Sequence, residues 1–332
     1  MKFKLKQYLY PLKILKLFYR IKKLKTIQDK KLQDLIEHAY HHVPYYRILF
    51  DENNISPKDI QNTDDLKKIP VLTKQILRER YQDLIADDSN KYNPYINKTS
   101  GSTGTPLRFV QDKNTSIARF AFFWRAKRMA GYRPYMRWAQ IDQMHLQENG
   151  KLWGYSLVLN SLQIAAEAIN DKTCEKIFNK LIRFKPKIIR GYPSAIYLLA
   201  NYAHRNNRRY PHKLKSIITY SETLHDFQRA LIENVFGCQV YDFYTMWEGV
   251  CLISECSHQI KHQHADFSYM ELLDENNQRV AIGEKGEITA TAFYNVSMPF
   301  IRYKTGDIAV LSGEKCDCGR KHPVVKSIDG RS

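Results

Sequence analysis

The sequence predicts an α/β protein in which a largely parallel sheet is flanked by helices and followed by a smaller β-rich subdomain. From about residue 107 to residue 244, short apolar runs typical of strands alternate with segments of helical periodicity, as in parallel sheets. From about residue 268, strand follows strand with only turn residues between them. The first ninety residues show only helical spacing, so they predict a helical N-terminal segment.

The N-terminal segment contains two well-marked predicted helices. Apolar residues recur at helical spacing from Lys31 to Val43, and Pro44 ends this helix. A second helix is expected from about Lys74 to Leu84, with Thr73 as its N-cap.

The central and C-terminal regions give the order of the remaining elements. In the central region the sequence predicts, in order, a strand at Leu107 to Val110, a helix capped by Asp112, a helix that starts at Asp171 and ends before Pro186, a strand at Lys187 to Arg190, a helix opening at Gly191, a strand at Ser216 to Tyr220, a helix at Leu224 to Phe236 and a strand at Cys238 to Tyr244. The predicted strands of the β-rich region are Tyr269 to Leu273, Glu287 to Phe293 and Ile308 to Leu311.

Composition excludes several classes of protein. The 332 residues are 43% hydrophobic and 26% charged, which is typical of a folded soluble chain. No run of about 18 apolar residues is present, so no transmembrane helix is expected. Six cysteines without an export signal argue against a disulfide scaffold and favour a cytoplasmic protein.

The charge is strongly basic and concentrated at the N-terminus. There are 52 Lys and Arg residues against 34 Asp and Glu, and residues 1 to 25 contain nine basic side chains and no acidic one. With apolar residues interleaved, this segment fits either an amphipathic helix at an anionic, inner membrane face or a solvated basic end. No nucleic-acid-binding motif accompanies it, so no nucleic-acid partner is expected. The sequence is compatible with either a monomer or a homodimer.

The stretch TSGSTGTP, residues 99 to 106, combines glycines with hydroxyl side chains. It fits a flexible linker, because Gly/Ser-rich segments usually are linkers. It equally fits an anion-binding loop, in which glycines let backbone N–H groups approach a phosphate and hydroxyls donate to its oxygens. The stretch alone leaves both interpretations open.

Four later stretches decide between them: Tyr220-Ser221-Glu222, YDFYTMWEGV (241 to 250), RYKTGD (302 to 307) and DGR (329 to 331). With TSGSTGTP, this ordered set resembles the adenylate-forming superfamily of acyl- and aryl-CoA ligases. HVPYYRILF (42 to 50), IPVLTK (69 to 74), GYPSA (191 to 195) and CDCGRKHP (316 to 323) resemble its phenylacetate–CoA ligase branch, especially relatives in capsular polysaccharide gene clusters.

The resemblance implies a fold and a reaction. The fold is the large N-terminal domain of an adenylate-forming enzyme. The reaction is ATP- and Mg²⁺-dependent activation of a carboxylic acid as an acyl-adenylate, followed by transfer to CoA or an amine, in polysaccharide biosynthesis. The alternative is a non-catalytic nucleotide- or substrate-binding protein, or a membrane-associated scaffold.

The resemblance also assigns roles to individual residues. The loop implies phosphate binding by Thr99, Ser100, Gly101, Ser102, Thr103 and Gly104, with Ser102 and Thr103 acting in catalysis beside the Mg²⁺ ligand Glu248. Tyr244 resembles the aromatic residue against adenine, and Ser221 and Glu222 resemble the segment beside it. Asp307 resembles the acceptor of both ribose hydroxyls, with Arg302 and Arg331 near the same nucleotide.

The resemblance implies a division of the chain. We expect a basic helical segment at 1–90, a nucleotide-binding core at 91–250, a β-rich subdomain at 251–328 and a hinge at 329–332. The small C-terminal domain that follows the hinge in the family is expected to be absent. Trp247 stands where the family usually has Ser or Thr, which bears on how the α-phosphate and acyl pocket are lined.

Two cysteine-containing pairs predict a structural zinc site within the β-rich region. Cys256 and His258 are separated by one residue, as are Cys316 and Cys318, and four such ligands suit a closed tetrahedral Zn²⁺ site. The rival ligands are His262, His264 and Cys251, and the alternative is a set of reduced free thiols in turns.

Overall fold

The computed structural model describes residues 24–99, 106–142 and 150–331. The chain divides into two units. The first comprises the described parts of Met1–Trp124, Thr245–Ile253 and Ile260–Ser332, and the second comprises those of Arg125–Tyr244 and Ser254–Gln259. No helix among the described residues is long and apolar enough to cross a membrane. The basic segment at residues 1 to 25 lies outside the described residues, apart from its last two.

The first unit begins with helices, as predicted. They are α1 (Leu24–His42), α2 (Pro44–Glu52), α3 (Lys74–Glu79) and the start of α4 (Lys113–Met129), with 3₁₀ turns at Pro57–Asp59, Thr63–Lys68 and Ser89–Tyr92. The buried face of α1 carries Leu32, Leu35, Ile36 and Ala39. Thr73 caps α3, because its hydroxyl oxygen accepts the Ile76 N–H at 3.1 Å. The helix is shorter than predicted, since Arg80 already leaves helical backbone geometry.

Two short strands of this unit, β1 (Tyr95–Lys98) and β2 (Arg108–Gln111), pair as an antiparallel ribbon. The loop of residues 99 to 106 joins them. Asp112 follows β2 directly and caps α4, as predicted, because its Oδ1 accepts the Thr115 N–H at 2.8 Å.

The second unit has the predicted alternation of strands and helices. Its strands are β3 (Trp138–Ile141), β4 (Trp153–Ser156), β5 (Ser161–Ile164), β6 (Ile188–Gly191), β7 (Ser216–Tyr220) and β8 (Val240–Thr245), and its helices are α5 (Cys174–Phe184), α6 (Pro193–Arg205) and α7 (Asp226–Phe236). The strand order is β8-β7-β6-β3-β5-β4. All neighbouring pairs are parallel except the hairpin of β4 and β5.

The parallel strands of the second unit create an edge of the kind at which ligands usually bind. The core between sheet and helices is apolar, with Phe178 in ring contact with Tyr202, Tyr210 and Phe236. Because β3, β6, β7 and β8 run parallel, their carboxyl ends meet at one edge, which is where open α/β sheets bind ligands.

The rest of the first unit is β-rich, as the sequence predicts. It contains β9 (Leu252–Glu255), whose first residues lie in this unit, then β10 (Lys261–Gln263), β11 (Ser268–Leu273), β12 (Lys285–Ala292), β13 (Tyr303–Ser312) and β14 (Val324–Arg331). The order is β11-β12-β13-β14-β10-β9, with antiparallel pairing from β11 through β14 to β10. Residues 329 to 331, expected to form a hinge turn, are the end of β14.

Candidate functional site

The hydroxyl-rich loop is described only at its base. Ser100, Gly101, Ser102, Thr103 and Gly104 lie outside the described residues. Thr99 is held by Leu107 on the opposite side of the loop: the Thr99 N–H donates to Leu107 O, and the Leu107 N–H donates to Thr99 Oγ1, both at 3.0 Å. The two ends of the loop are therefore fixed next to each other on the β1–β2 ribbon.

Glu248 is a buried carboxylate, with 5% of the residue exposed, in the turn after β8. The hydroxyl of Tyr303 donates to its Oε1 at 3.3 Å, and Gln111 Nε2 donates to its backbone oxygen at 2.9 Å. Burial raises the pKa of Glu248, opposed by the positive charge of Lys74 and by the Tyr303 hydrogen bond. A buried carboxylate of this kind gains stability from a cation beside it.

Lys74 adds a positive charge that the sequence analysis did not assign to the site. It is the first residue of α3, and its ammonium group donates to the backbone oxygen of Thr305. Gly306 is the next residue and has φ of +83°, and a Cβ there would lie 3.0 Å from Lys74 Nζ. The positive φ therefore favours glycine at this position in RYKTGD, and Lys74 Nζ would have to shift slightly to admit a side chain.

Asp307 and Arg331 are brought together by strand pairing. They are opposite each other in the β13–β14 register, and Arg331 Nε lies 3.8 Å from Asp307 Oδ1. The Asp307 side chain is 13% exposed and that of Arg331 is 50% exposed. Two residues predicted to approach one nucleotide thus share one end of this strand pair.

The guanidinium group of Arg302 is buried and bonded to other groups of the protein. Its side chain is only 4% exposed, with Nε 3.3 Å from Glu271 Oε2 and Nη1 donating to the backbone oxygen of Ile69 at 2.6 Å. Weaker contacts reach the backbone oxygens of Lys67 and Asn277. The structure does not bring this guanidinium to the pair of Asp307 and Arg331, and its contacts are those of a buried structural ion pair.

Trp247, the position that differs from the family pattern, is 55% exposed and lies next to Glu248 in sequence. The guanidinium carbon of Arg119 lies 5.0 Å from the centroid of its ring, within the range of a cation–π interaction. Burial lowers the pKa of Arg119. The indole therefore covers a partly desolvated cation near the Glu248 turn.

In the second unit, the predicted adenine-side residues lie at the carboxyl edge of the sheet. Ser221 follows β7 directly with φ of +70°, a strained backbone for a residue other than glycine. Glu222 Oε2 accepts the Ser194 N–H, in the first turn of α6, at 3.1 Å. Tyr244 is half-buried near the end of β8. These residues therefore lie at the carboxyl ends of two neighbouring parallel strands, β7 and β8.

The same edge carries a polar network that the sequence analysis missed. Gln140 Nε2 donates to both oxygens of Asp142, at 2.6 and 2.8 Å, and the Tyr220 hydroxyl donates to the same carboxylate. Arg190 Nη2 donates to Gln140 and its guanidinium carbon lies 4.3 Å from the ring centroid of Trp138. Ion-pairing and hydrogen-bonding groups thus lie where open α/β sheets bind substrates.

Three of the candidate metal ligands meet in the first unit. Cys318 Sγ lies 3.4 Å from His262 Nε2, and ligand atoms of His262, Cys316 and Cys318 lie within 4.8 Å of one another. Two ligands of one tetrahedral Zn²⁺ ion, with bonds of about 2.3 Å to sulfur and 2.0 Å to nitrogen, would be about 3.5 Å apart. Burial lowers the pKa of His262, which favours the neutral imidazole that a metal requires.

The other candidates have different surroundings. His258 is exposed, and its backbone N–H donates to Cys256 Sγ at 3.4 Å. His264 is buried with its ring stacked on that of His322. Cys251 lies in the core, 3.8 Å from Met270 Sδ, and burial raises the pKa of its thiol to about 12. His262, an alternative ligand in the sequence analysis, therefore joins the described cluster, and His258, His264 and Cys251 do not.

Comparison with known sequences gives one consistent group of relatives. No family model matches the chain. A phenylacetate-coenzyme A ligase of Thermus thermophilus is 26% identical over 325 residues, covering 93% of this chain and 71% of the relative. Protein CapK of Staphylococcus aureus is 26% identical over 311 residues, covering 92% of this chain and 67% of CapK. A phenylacetate-coenzyme A ligase of Escherichia coli is 27% identical, with 88% and 68% covered.

Solved structures agree on the fold. A 2-hydroxyisobutyryl-CoA ligase, in complex with 2-HIB-AMP and CoA, superposes with a TM-score of 0.73 at 23% identity, covering 94% of this chain and 69% of that one. A long-chain-fatty-acid-CoA ligase from Archaeoglobus fulgidus superposes with a TM-score of 0.51 at 14% identity, with 71% and 51% covered. The fold class predicted from the sequence is confirmed.

Proposed function

This chain is a member of the adenylate-forming superfamily, similar to phenylacetate–CoA ligases and CapK, and we propose that it binds ATP with Mg²⁺ and activates a carboxylic acid as its acyl-adenylate. The acid's oxygen attacks the α-phosphorus of ATP, the bond between the α- and β-phosphates breaks, and pyrophosphate leaves. The sulfur of a thiol, as in CoA, or the nitrogen of an amine then attacks the acyl carbon, the bond between the acyl carbon and the phosphate oxygen breaks, and AMP leaves. ATP supplies the leaving group, and the chain supplies binding and charge.

The buried Glu248 is the observation that carries the proposal. Its pKa is raised by burial, although Lys74 and the Tyr303 hydroxyl favour its charged form. A bound Mg²⁺ would favour the carboxylate further, and one or two carboxylates with phosphate oxygens are the usual ligands of Mg²⁺. Glu248 is assigned to that ion, and Lys74 provides positive charge next to RYKTGD that the hydroxyl-rich loop lacks.

The other nucleotide contacts follow the same assignment. Asp307 is the acceptor for the ribose hydroxyls, because a carboxylate can accept both, and Arg331 pairs with it at one end of β13 and β14. Ser221, Glu222 and Tyr244 are assigned to adenine. Thr99, Ser100, Gly101, Ser102, Thr103 and Gly104 are assigned to the phosphates, with Ser102 and Thr103 closest to the reaction. Arg302 is assigned a supporting role through Glu271.

The acid substrate is proposed to be polar. Gln140, Asp142, Arg190 and Tyr220 form a hydrogen-bonded network at the carboxyl edge of the parallel strands, and the polar groups of an acid can exchange hydrogen bonds with this network, whereas an unsubstituted aryl group cannot. Similarity to CapK supports a role in capsular polysaccharide synthesis. The competing candidate is a nucleotide-binding protein without ligase activity, for which the exposed Trp247 next to Glu248 is the supporting observation.

We assign a structural Zn²⁺ ion to His262, Cys316 and Cys318, with Cys256 as the fourth ligand that the sequence predicts. Three of these ligands meet in the first unit. Cys256 stands six residues before His262, in the turn between β9 and β10, and already accepts the N–H of His258 as metal-bound thiolates often do. Four protein ligands leave no open position for substrate, so this ion would stabilise the fold and take no part in the reaction.

Calorimetric titration with ATP plus Mg²⁺, and with AMP, tests the nucleotide site. Wild type is expected to bind both, and Asp307→Ala is expected to weaken both by at least about tenfold, since a hydrogen bond to a charged group contributes about 1.5–3 kcal/mol. Asp51→Ala, an exposed carboxylate on α2, is the matched control and should bind as wild type does. A folded wild type that binds neither nucleotide would contradict the proposal.

Exchange of labelled pyrophosphate into ATP then separates the two candidates. A ligase shows acid-dependent exchange, tested first with hydroxy, amino and sugar acids and then with aryl acids. Binding of ATP without exchange for any acid would favour the non-catalytic protein.

A further inference from the structure

A second histidine-containing cluster lies at the end of α1, within the first unit. His38 and His42 are four residues apart and so project from the same face of the helix. Asp88 lies just before the 3₁₀ turn Ser89–Tyr92. One ring nitrogen of each histidine and one oxygen of Asp88 lie within 4.8 Å of one another, and the two ring centroids are 4.9 Å apart.

Asp88 contains an unsatisfied oxygen that points to a missing ligand. Its side chain is 9% exposed, and within the part of the chain that the structure describes, Oδ1 is buried without a hydrogen-bond partner, 3.8 Å from His38 Nε2. The other oxygen, Oδ2, receives the Tyr92 hydroxyl at 3.3 Å and Lys91 Nζ at 3.4 Å. An unsatisfied carboxylate oxygen in a buried position is unfavourable, and a cation between it and the imidazoles would remove that penalty.

Each imidazole already has an oxygen partner at one nitrogen. His38 Nε2 lies 2.9 Å from the backbone oxygen of Val296, and His42 Nδ1 lies 2.8 Å from Asp87 Oδ1. Oxygen partners of this kind orient the imidazoles that bind metal ions in proteins. The arrangement therefore contains three ligand groups and the outer partners that fix two of them.

We propose that His38, His42 and Asp88 bind a divalent transition-metal ion of the Zn²⁺ class. Two neutral imidazoles with one carboxylate suit such an ion, whereas Mg²⁺ and Ca²⁺ prefer ligands that are all oxygen. The His42 side chain is 37% exposed, so water can complete the coordination. The ion joins the end of α1 to the segment around Asp88. This site shares no residue with the proposed nucleotide site or with the cysteine-containing site.

The test counts Zn²⁺ ions on the full chain after treatment with a chelator. Calorimetric titration is expected to show one more equivalent of Zn²⁺ on wild type than on His42→Ala or Asp88→Asn. His41→Ala is the matched control, because His41 is exposed on the same helical turn, where its ring contacts Glu37 at 3.1 Å and the ring of Tyr40. It should bind as many ions as wild type.

Two further readouts distinguish this site from the thiolate site and from surface binding. Titration with Co²⁺ should lose one equivalent in His42→Ala while the thiolate-to-metal charge-transfer band keeps its full intensity. Thermal unfolding should show stabilisation by this second equivalent in wild type but not in Asp88→Asn. Equal stoichiometry in wild type, His42→Ala and Asp88→Asn would overturn the proposal, and so would an equal loss in His41→Ala, which would mean adventitious surface binding only.

Discussion

The hydroxyl group of Tyr303 lies 3.3 Å from Oε1 of Glu248, and both side chains are buried. The hydroxyl donates to the carboxylate and favours its charged form, as does the charge of Lys74, but burial outweighs both and raises the pKa of Glu248. The charged form of Glu248 is therefore less favourable in the folded protein than in the unfolded chain.

We predict that Glu248→Gln changes the pH dependence of stability. Because its pKa is raised by folding, the Glu248 carboxyl group binds a proton more tightly in the folded protein than in the unfolded chain. Glu248 therefore contributes its full stabilisation at pH values below its ordinary pKa of 4.5, and this stabilisation is lost as the pH rises through the folded-state pKa. Without nucleotide or metal, the melting temperature of Glu248→Gln relative to wild type should therefore increase from pH 4 to pH 8. Each tenfold change in proton affinity corresponds to about 1.4 kcal/mol. A difference that does not vary with pH would contradict this account.

A second prediction concerns Tyr303→Phe, which removes the hydroxyl group that donates to Glu248. Loss of the donor should raise the pKa of Glu248 further and, because that hydrogen bond is buried, lower stability by about 1–3 kcal/mol. Mg²⁺-dependent ATP binding should then require a higher pH than in wild type, as measured by calorimetry at several pH values. An unchanged pH dependence would mean that Glu248 is not the carboxylate that binds the ion.

Arg302 gives a prediction that separates a structural role from nucleotide binding. Arg302→Ala would leave Glu271 buried with Arg279, at 3.0 Å, as its remaining cationic partner among the described residues. Removing one member of a buried pair costs about 3–5 kcal/mol. Arg279→Ala, at a side chain 34% exposed, should cost less. Urea unfolding measures both, and AMP titration of folded Arg302→Ala should give an affinity near that of wild type.

Local sequence signals predicted a large part of the fold correctly. Thr73 and Asp112 were predicted as helix caps, and both accept the expected backbone N–H group. The strand at Ser216 to Tyr220 is found with the predicted bounds. Such features depend on a few neighbouring residues, so a single sequence contains them.

Features that depend on distant residues were missed. Strands β3 and β5 are four residues long, too short to show a clear sequence pattern, and they form by pairing with distant strands. Gln140 and Asp142 were therefore not recognised as residues near the carboxyl end of a strand. Lys74 and Thr305 meet although 231 residues separate them. The spacing around Cys256 favoured His258, whereas the described cluster contains His262, because β10 and β14 pair with His262 opposite Val324.

The zinc assignment gives a further prediction. His262→Ala and Cys318→Ser should each lose the thiolate-bound Zn²⁺, because a tetrahedral structural site requires all four ligands. His258→Ala should retain it, since the exposed His258 ring contributes no ligand. Metal content after purification, measured by elemental mass spectrometry, distinguishes these outcomes. Loss of zinc in His258→Ala with retention in His262→Ala would restore the ligand set expected from spacing alone.

Asp112 is predicted to be among the least replaceable carboxylates of the first unit. Its Oδ1 accepts the Thr115 N–H, while Oδ2 accepts the N–H groups of Val296 and Ser297 at 3.0 and 3.1 Å, and the residue is fully buried. Asp112→Ala removes a helix cap, about 1 kcal/mol, and leaves two buried donors unsatisfied, at about 1–3 kcal/mol each. We therefore expect a loss of about 3–7 kcal/mol in urea unfolding. Asp59→Ala removes an exposed carboxylate that accepts the Ser56 N–H at 2.7 Å, and should cost about 1 kcal/mol or less. Equal losses in the two variants would show that burial of the acceptor does not set the strength of these contacts.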